Sequence, residues 1–204
     1  INYIDLFIGT PTTREYFGRA LEGRREQVYL AGHLGCVDQE GQYVNTRDEA
    51  LAKDYLQQFY EKLNTDYIDV LFLHNCDTLE DLDGIMNGWM YAHAKELQAQ
   101  GKAKFIGFSS HNTKVAMEAV KTGKIDVLMF PVNPLFNLLP QDSADARMKG
   151  REVQAMTEEE KAASPTKQEL YELCEQMGVG LVAMKPFAGG NVLKNHKEGH
   201  LKGL

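Results

Sequence analysis

Cysteine is scarce in this chain of 204 residues, which contains only Cys36, Cys76 and Cys174. No two of them lie in a CxxC pair, and an odd, scattered count does not build a disulfide framework. The pattern therefore excludes a small secreted domain held together by disulfides. It predicts a protein with reduced thiols, and we expect a cytoplasmic location.

Basic clusters and long apolar runs are also missing. The 22 Lys and Arg residues are outnumbered by 29 Asp and Glu residues, which gives a formal net charge of −7. Binding to nucleic acid or to an anionic membrane surface needs clustered Lys and Arg. No apolar run approaches the roughly 20 residues of a membrane-spanning helix. We therefore expect neither nucleic acid nor a membrane as a partner.

An initiator Met is absent as well, since the chain begins at Ile1 inside a strand-like pattern. We expect the natural N-terminus to lie upstream of this residue. The composition is otherwise that of a globular protein, with 43% hydrophobic and 25% charged residues. Such a chain can form one domain with a substantial core.

Short apolar runs alternate with amphipathic segments along the chain. The runs are rich in Val, Ile, Leu and Phe, as is typical of strands buried on both faces. Strands that alternate with helices form right-handed βαβ units, so the pattern predicts a parallel sheet. Six strands are predicted in this way: Ile1–Phe7, Gln27–Leu34, Ile68–His74, Phe105–Ser109, Val127–Val132 and Val179–Lys185.

The predicted helices begin at residues that can cap them. The helix that starts at Thr78 is expected to run without interruption to Gly101, and Gly178 is expected to end the last helix. Four starts are predicted: Thr46 with Glu49 as a capping box, Thr78, Asn112 or Thr113, and Ser164 before Pro165.

Two stretches break the alternation. Residues 36–45 form a polar segment with Gly41, which we interpret as a loop. Residues 134–163 form a long insertion after the predicted strand Val127–Val132, apolar at first and then charged. Loops of this length are usually functional or disordered. The insertion is interpreted as a partly helical lid over the strand ends, with a mobile surface excursion as the alternative.

Polar residues lie at or near the ends of the predicted strands. In parallel α/β folds the carboxyl ends of the strands carry the functional groups, so a shared placement predicts one site. Each residue also has a structural explanation, since an Asp after a strand often forms a turn and a His is often part of the core. The residues placed in this way are Asp5, His33, His74, Ser109, Asn133 and Lys185.

Four segments together resemble the aldo-keto reductase family. They are Asn2–Asp5 with Gly18-Arg-Ala-Leu21, Asp66–His74, Ile106-Gly-Phe-Ser-Ser110 and Val182–Gly190. The resemblance implies a (β/α)8 barrel that reduces small carbonyl compounds with NADPH, an oxidoreductase using NADP as its cofactor. Because eight strands close such a barrel, we expect residues 1–204 to be a single, incomplete domain of about six βα units.

The family works with a tetrad of Asp, Tyr, Lys and His. Asp5 and His74 match two of these places, whereas Thr10 stands at the tyrosine position and His33 at the lysine position. In the family the tyrosine protonates the carbonyl oxygen, the lysine assists it, the aspartate pairs with the lysine, and the histidine orients the substrate. Thr is a far weaker acid than Tyr. A carboxylate beside His33 would favour the charged imidazole and give a general acid or base.

The resemblance also implies cofactor contacts. Ser109 and Ser110 are similar to the Ser-Asn pair that holds the nicotinamide amide, and Asn133 matches the family's asparagine. Met129 stands where glutamine is usual, and Met184 stands where a tyrosine often stacks on the nicotinamide. Lys185 belongs to a segment, Met184–Gly190, that resembles the branch with a C-terminal iron–sulfur module. Such a module would lie outside this chain, which carries no cluster cysteines.

Two functions follow from these substitutions. The first is NAD(P)H-dependent reduction of a small carbonyl with an atypical acid. The alternative is a catalytically altered barrel, either a non-redox enzyme or a binding protein, that lacks the standard Tyr and Lys. A metal site made of Asp5, His33 and His74 is a further interpretation, since two His and one carboxylate form a known ligand set.

Overall fold

The computed structural model describes residues 1–6, 10–133 and 165–187. Six of its strands form one parallel sheet, in which each strand pairs with the next of the six along the chain. The strands are β1 (Tyr3–Asp5), β2 (Tyr29–Leu34), β5 (Ile68–Leu73), β6 (Ala103–Ser109), β7 (Val127–Pro131) and β8 (Gly180–Met184). The predicted parallel sheet of six consecutive strands is confirmed.

Helices connect most of these strands. They are α1 (Pro11–Leu21), α2 (Glu49–Leu63), α3 (Leu79–Met86), α4 (Trp89–Ala99), α5 (Thr113–Lys121) and α6 (Lys167–Met177), together with a 3₁₀ turn at Arg25–Gln27. Within the described ranges, none of the helices is both long enough and apolar enough to cross a membrane.

The two faces of the sheet carry different layers. The larger core lies between the sheet and the helices and includes the fully buried Phe59 and Phe108. The opposite face carries a smaller apolar layer, in which Ala31, Phe72 and Met129 are buried. Since side chains alternate along a strand, residues two apart from these positions also lie on this inner face. The inner layer forms the floor beneath the candidate site.

The segment interpreted as a polar loop is instead a β-hairpin, so that prediction was wrong. Strands β3 (Cys36–Gln39) and β4 (Gln42–Asn45) pair antiparallel. Glu40 and Gly41 connect them with φ values of 54° and 78°. Two consecutive residues with positive φ are the signature of the type I′ turn, whose twist suits a two-residue hairpin.

Two predicted helix starts are corrected by the structure. Asp48 caps α2 by accepting a hydrogen bond from the Leu51 N–H, whereas Thr46 lies outside the helix. Thr166 caps α6 and forms a capping box with Glu169. In both helices the N-cap is a residue closer to the first helical turn, and its side-chain oxygen accepts the backbone hydrogen bond. Sequence spacing alone does not decide which of two neighbouring candidates becomes the N-cap.

The helix predicted from Thr78 to Gly101 is divided in two. Thr78 does cap α3, but α3 ends at Met86, with Asn87 as its C-cap, and α4 begins after Gly88. A Cβ on Gly88 would lie 2.1 Å from the Gly84 carbonyl oxygen, so this close turn needs glycine. The predicted cap at Asn112 and the left-handed end at Gly178 are confirmed.

The long insertion at residues 134–163 lies outside the described residues, and its role as a lid stays a prediction. The strands at the two margins of the sheet, β1 and β8, are less buried than the central strands. Leu181 on β8, for example, is 41% exposed. Burial therefore concentrates in the centre of the sheet, around β2, β5 and β6.

Candidate functional site

Polar side chains gather where the parallel strands end. Asp5 is the last residue of β1, His33 lies near the end of β2, and His74 directly follows β5. Parallel strands place their carboxyl ends at one edge of the sheet, so these residues share one rim. They also share the inner face, because His33 lies two residues beyond Ala31 and His74 two beyond Phe72.

Hydrogen bonds join the three residues directly. His33 Nε2 lies 2.8 Å from Asp5 Oδ1, and His33 Nδ1 lies 2.8 Å from His74 Nδ1. Ser109 Oγ approaches His74 Nδ1 at 3.3 Å. The His33 ring stacks on Phe72 with 5.1 Å between ring centroids. The structure thus brings Asp5, His33, His74 and Ser109 together above the inner apolar layer.

The electrostatic surroundings keep His74 uncharged. Its burial, followed by its electrostatic interactions with His33, His111, Arg47 and Lys185, holds the pKa of His74 well below its ordinary value. A neutral imidazole has one N–H and one acceptor nitrogen. His74 can therefore accept a hydrogen bond on one side of its ring and donate on the other.

A tyrosine that sequence reasoning missed contacts His74. Tyr43, on β4 of the hairpin, places its hydroxyl 2.5 Å from His74 Nε2 and also donates a hydrogen bond to Asn45 Oδ1. Burial, followed by the nearby Cys36 thiol, raises the Tyr43 pKa. The sequence signal was the Glu40-Gly41 dipeptide. A two-residue turn at these positions predicts a hairpin in which Tyr43 and Asn45 lie on one face.

The hydrogen bonds continue from the hairpin to a second carboxylate. Asn45 Nδ2 donates to Asn75 Oδ1, and Asn75 Nδ2 lies 3.2 Å from Asp77 Oδ2. His111 Nδ1 lies 3.0 Å from the same carboxylate oxygen, and Lys185 Nζ lies 2.5 Å from His111 Nε2. We call this set the rim network: Asp5, His33, His74, Tyr43, Asn45, Asn75, Asp77, His111 and Lys185.

Arg47 holds the loop that carries His74. Its guanidinium donates to the carbonyl oxygens of His74 and Asn75 at 2.7 and 2.8 Å and pairs with Asp81 at 2.6 Å. Gly35 allows the chain after β2 to approach the backbone of His74 closely, because a Cβ at this position would lie 2.8 Å from the His74 carbonyl oxygen. The position of His74 is therefore fixed from the backbone side.

The residues predicted to bind a cofactor lie along the same rim. Ser110 is fully buried, with Oγ 3.2 Å from Asp77 Oδ1. Asn133 is buried and donates to the Lys185 carbonyl oxygen at 3.0 Å. Lys185 has a φ of 53°, a left-handed conformation that is uncommon for a residue with a side chain. Asn133 and Lys185 thus link the ends of β7 and β8.

The remaining predicted residues lie elsewhere. Met129 is buried in the inner layer, and Met184 packs against that layer. Thr10 caps α1, with its exposed side chain accepting a hydrogen bond from the Thr13 N–H. The structure gives Thr10 a role at a helix end, and its assignment to the tyrosine position stays a prediction.

The metal interpretation does not fit the observed geometry. His33 and His74 point their Nδ1 atoms at each other at 2.8 Å, and His33 Nε2 faces Asp5. Lone pairs that hold a metal converge on one point, whereas these atoms pair along a line. No group of three or more His, Cys, Asp or Glu in the part of the chain that the structure describes is arranged to hold a metal ion.

Comparison with known proteins decides the family. A model of the aldo/keto reductase family matches residues 2–203. The chain belongs to the aldo/keto reductase family. The uncharacterized oxidoreductase YqkF from Bacillus subtilis (strain 168) is 28% identical over 147 residues, which cover 70% of this chain and 46% of YqkF.

Solved aldo-keto reductases share the fold. The holo form of aldo-keto reductase AKR11C1 from Bacillus halodurans superposes with a TM-score of 0.63 at 23% identity, covering 90% of this chain and 52% of that one. An aldo-keto reductase from Klebsiella pneumoniae in complex with NADPH gives 0.60 at 16% identity, covering 96% and 56%. The six-stranded sheet is therefore part of a (β/α)8-type barrel, and this chain spans about half the length of these relatives.

Proposed function

We propose that the protein reduces a small aldehyde or ketone with NADPH, and that it does so with an acid different from the tyrosine–lysine pair usual in its family. The observation that carries this proposal is the chain of hydrogen bonds from Asp5 through His33 to His74. Membership of an oxidoreductase family and the solved relative that binds NADPH support the choice of reaction and cofactor.

The donor groups at the rim suit a nicotinamide cofactor. A carboxamide needs both hydrogen-bond donors and acceptors, which Ser109, Ser110 and Asn133 can supply. Lys185 brings a positive charge to the same rim, and a cation favours the approach of a phosphate group. These residues would hold NADPH, which supplies the hydride when it is bound.

The protein's own residues supply the rest of the chemistry. A carbonyl that receives a hydride becomes an alkoxide and needs a proton at its oxygen. The rim network holds protons on imidazole and hydroxyl groups that are within hydrogen-bond distance of one another. Neutral His74, whose loop Arg47 holds, can pass a proton between its two ring nitrogens. The inner apolar layer lies below these groups and forms an apolar floor on that side of the site.

A binding and turnover experiment with the full-length protein tests this function. We expect the nicotinamide fluorescence of NADPH to change on addition of protein, and NADPH to be consumed when a small aldehyde is present. His74→Ala should abolish the consumption, whereas His93→Ala, on α4 away from the rim, should not. If NADPH binds but no carbonyl substrate is reduced, the protein is the catalytically altered barrel considered above.

Two further predictions accompany this function. We propose a cytoplasmic location, which is supported by the small, odd number of cysteines, no two of which lie in a CxxC pair. We also propose an iron–sulfur module outside this chain, on the basis of the Met184–Gly190 segment. Absorption and electron paramagnetic resonance spectra of the full-length protein would detect such a cluster, and featureless spectra after anaerobic purification would contradict it.

A further inference from the structure

We propose that Tyr43 is the residue that protonates the substrate oxygen, and that His33 replaces the proton through His74. This inference rests on the proposed reductase function and names the acid within it. Tyr43 belongs to the hairpin and not to the strand ends that carry the other site residues. The hairpin thus supplies the phenol that is missing at Thr10.

The geometry places the Tyr43 hydroxyl within the rim network. The Tyr43 and His74 rings meet edge to face, with centroids 5.5 Å apart and an interplanar angle of 86°. The hydroxyl lies 2.5 Å from His74 Nε2. Tyr43 is half-buried, and its hydroxyl bonds to Asn45, whose side chain is exposed. A tyrosine in this position can meet a substrate and exchange a proton with His74.

The direction of each hydrogen bond can be followed from Asp77. This carboxylate accepts bonds from the backbone and the ring of His111, so the Asn75 atom facing it must be the donor Nδ2. The Oδ1 of Asn75 then accepts from Asn45, and the Oδ1 of Asn45 accepts from Tyr43. Because the Tyr43 hydroxyl has one hydrogen, its oxygen accepts from His74.

The same reasoning fixes the protons on the two histidines. His74 is neutral and donates from Nε2 to Tyr43, so its Nδ1 is the acceptor. His33 Nδ1 must then donate to His74, and His33 Nε2 donates to the Asp5 carboxylate. His33 therefore carries two protons in this arrangement, and Asp5 balances its charge. The pair takes the electrostatic place of the family's lysine and aspartate.

The proton transfer can be written so that it balances. The substrate carbonyl oxygen replaces Asn45 as the acceptor of the Tyr43 hydroxyl. As the carbonyl carbon gains the hydride of NADPH, the π electrons of the C=O bond form a new O–H bond with the Tyr43 proton. Tyr43 takes the Nε2 proton of His74, and His74 Nδ1 takes the Nδ1 proton of His33. The products are the alcohol, oxidised NADP and a neutral His33.

The relay removes an obstacle that Tyr43 would meet alone. Burial raises the Tyr43 pKa, so a phenolate at this position is unfavourable. If the proton from His74 arrives as the hydroxyl proton leaves, no phenolate is formed. The proton is finally restored at the Asp5 end, where the Asp5 side chain is 29% exposed and His33 only 1%.

Steady-state kinetics of the full-length protein test the inference. Tyr43→Phe removes only the hydroxyl, and we expect kcat to fall about 10²- to 10⁴-fold, as for loss of a general acid. The Kd for NADPH should stay within about twofold. Tyr16→Phe, on the exposed surface of α1, is the matched control and should retain full activity. If the wild type reduces carbonyls and Tyr43→Phe does so equally well, Tyr43 is not the acid, although the proposed function stands.

The relay has its own test in a double variant. His33→Gln should lower kcat to a similar extent and flatten its pH profile, and adding Tyr43→Phe should lower kcat little further. Fully multiplicative losses would show that the two residues act separately, which would overturn the relay. If Tyr43→Phe does not fold, 3-fluorotyrosine at position 43 keeps the hydroxyl and lowers its pKa. The pH profile of kcat should then shift, and an unchanged profile would contradict the proposal.

Discussion

The two ends of the sheet carry polar clusters of opposite character. At the amino end, the Asp69 carboxylate on β5 accepts hydrogen bonds from Arg25 Nη2 at 2.8 Å, Lys104 Nζ at 2.8 Å and the Leu30 N–H at 2.9 Å. At the carboxyl end, the rim network joins two carboxylates, Asp5 and Asp77, through imidazoles, amides and a phenol. One cluster holds fixed charges, whereas the other holds exchangeable protons.

The difference shows how one fold separates stability from chemistry. Burial alone would raise the pKa of the Asp69 carboxyl, but hydrogen bonds from Lys104, Leu30 and Arg25 outweigh it and lower the pKa. Asp69 is therefore a permanent anion with permanent cations around it. In the rim network, burial keeps His74 neutral and Tyr43 protonated. Barrel folds in general place function at the carboxyl ends of the strands. Here the groups that can exchange protons lie at that end, whereas the fixed charges lie at the amino end.

The largest expected effect is the loss of activity on changing His74. His74→Gln keeps a hydrogen-bonding side chain but cannot pass a proton between two ring nitrogens. We expect kcat/KM to fall about 10³-fold, equivalent to about 4 kcal/mol, with a change of only about 1 kcal/mol in the free energy of unfolding. Kinetics and urea unfolding of the same variant check both values. If the free energy of unfolding fell by as much as the activation free energy rose, the rim network would serve stability as well as chemistry, and the distinction between the two clusters would be contradicted.

The reverse pattern is expected for Asp69. Asp69→Ala leaves Arg25 and Lys104 without their shared carboxylate. Breaking a buried ion pair costs a few kcal/mol, and because Lys104 is half-exposed we expect about 2 kcal/mol here. The kcat of the folded fraction should be unchanged. Calorimetry together with kinetics measures the two quantities, and a drop in kcat with unaltered stability would contradict the assignment of this cluster to stability.

A pair of glycine variants tests whether the hairpin positions Tyr43. A Cβ on Gly41 or on Gly84 would meet no atom within 4 Å, but Gly41 has a φ of 78° and Gly84 is helical. Gly41→Ala should therefore cost about 1 kcal/mol at the turn and reduce kcat by about tenfold or less. Gly84→Ala should leave kcat unchanged. Equal kcat values for the two variants would show that the turn does not control the position of Tyr43.

The sequence predicted the part of the site that lies on regular strands. Asp5, His33 and His74 could be placed together because a parallel sheet puts all strand ends at one edge. Tyr43 could not be found in that way, since its segment was interpreted as a loop and the positive φ of Glu40 is unusual for a non-glycine residue. The contact between His111 and Lys185 spans 74 positions and depends on the packing of β6 beside β7 and β8.

The smallest expected effect is the pH dependence of stability. The Asp69 pKa is lower in the folded state, so its contribution is fully present above the unfolded carboxyl pKa of about 3.9. The contribution is lost as the pH falls through the folded pKa. Urea midpoints of the wild type should fall more steeply below about pH 4 than those of Asp69→Asn. If the urea midpoints of the two proteins change with pH in the same way, protonation of Asp69 is not coupled to unfolding.

Side-chain ¹⁵N NMR of the histidines tests the central claim most directly. We expect His33 to donate from both ring nitrogens, to Asp5 and to His74, and His74 to carry its single proton on Nε2. Asp5→Asn should change the ¹⁵N shift of His33 Nε2, because a neutral amide replaces the carboxylate that faces this nitrogen. A neutral His33 in the wild type, with the His74 proton on Nδ1, would reverse the hydrogen bonds of the rim network and contradict the relay to Tyr43.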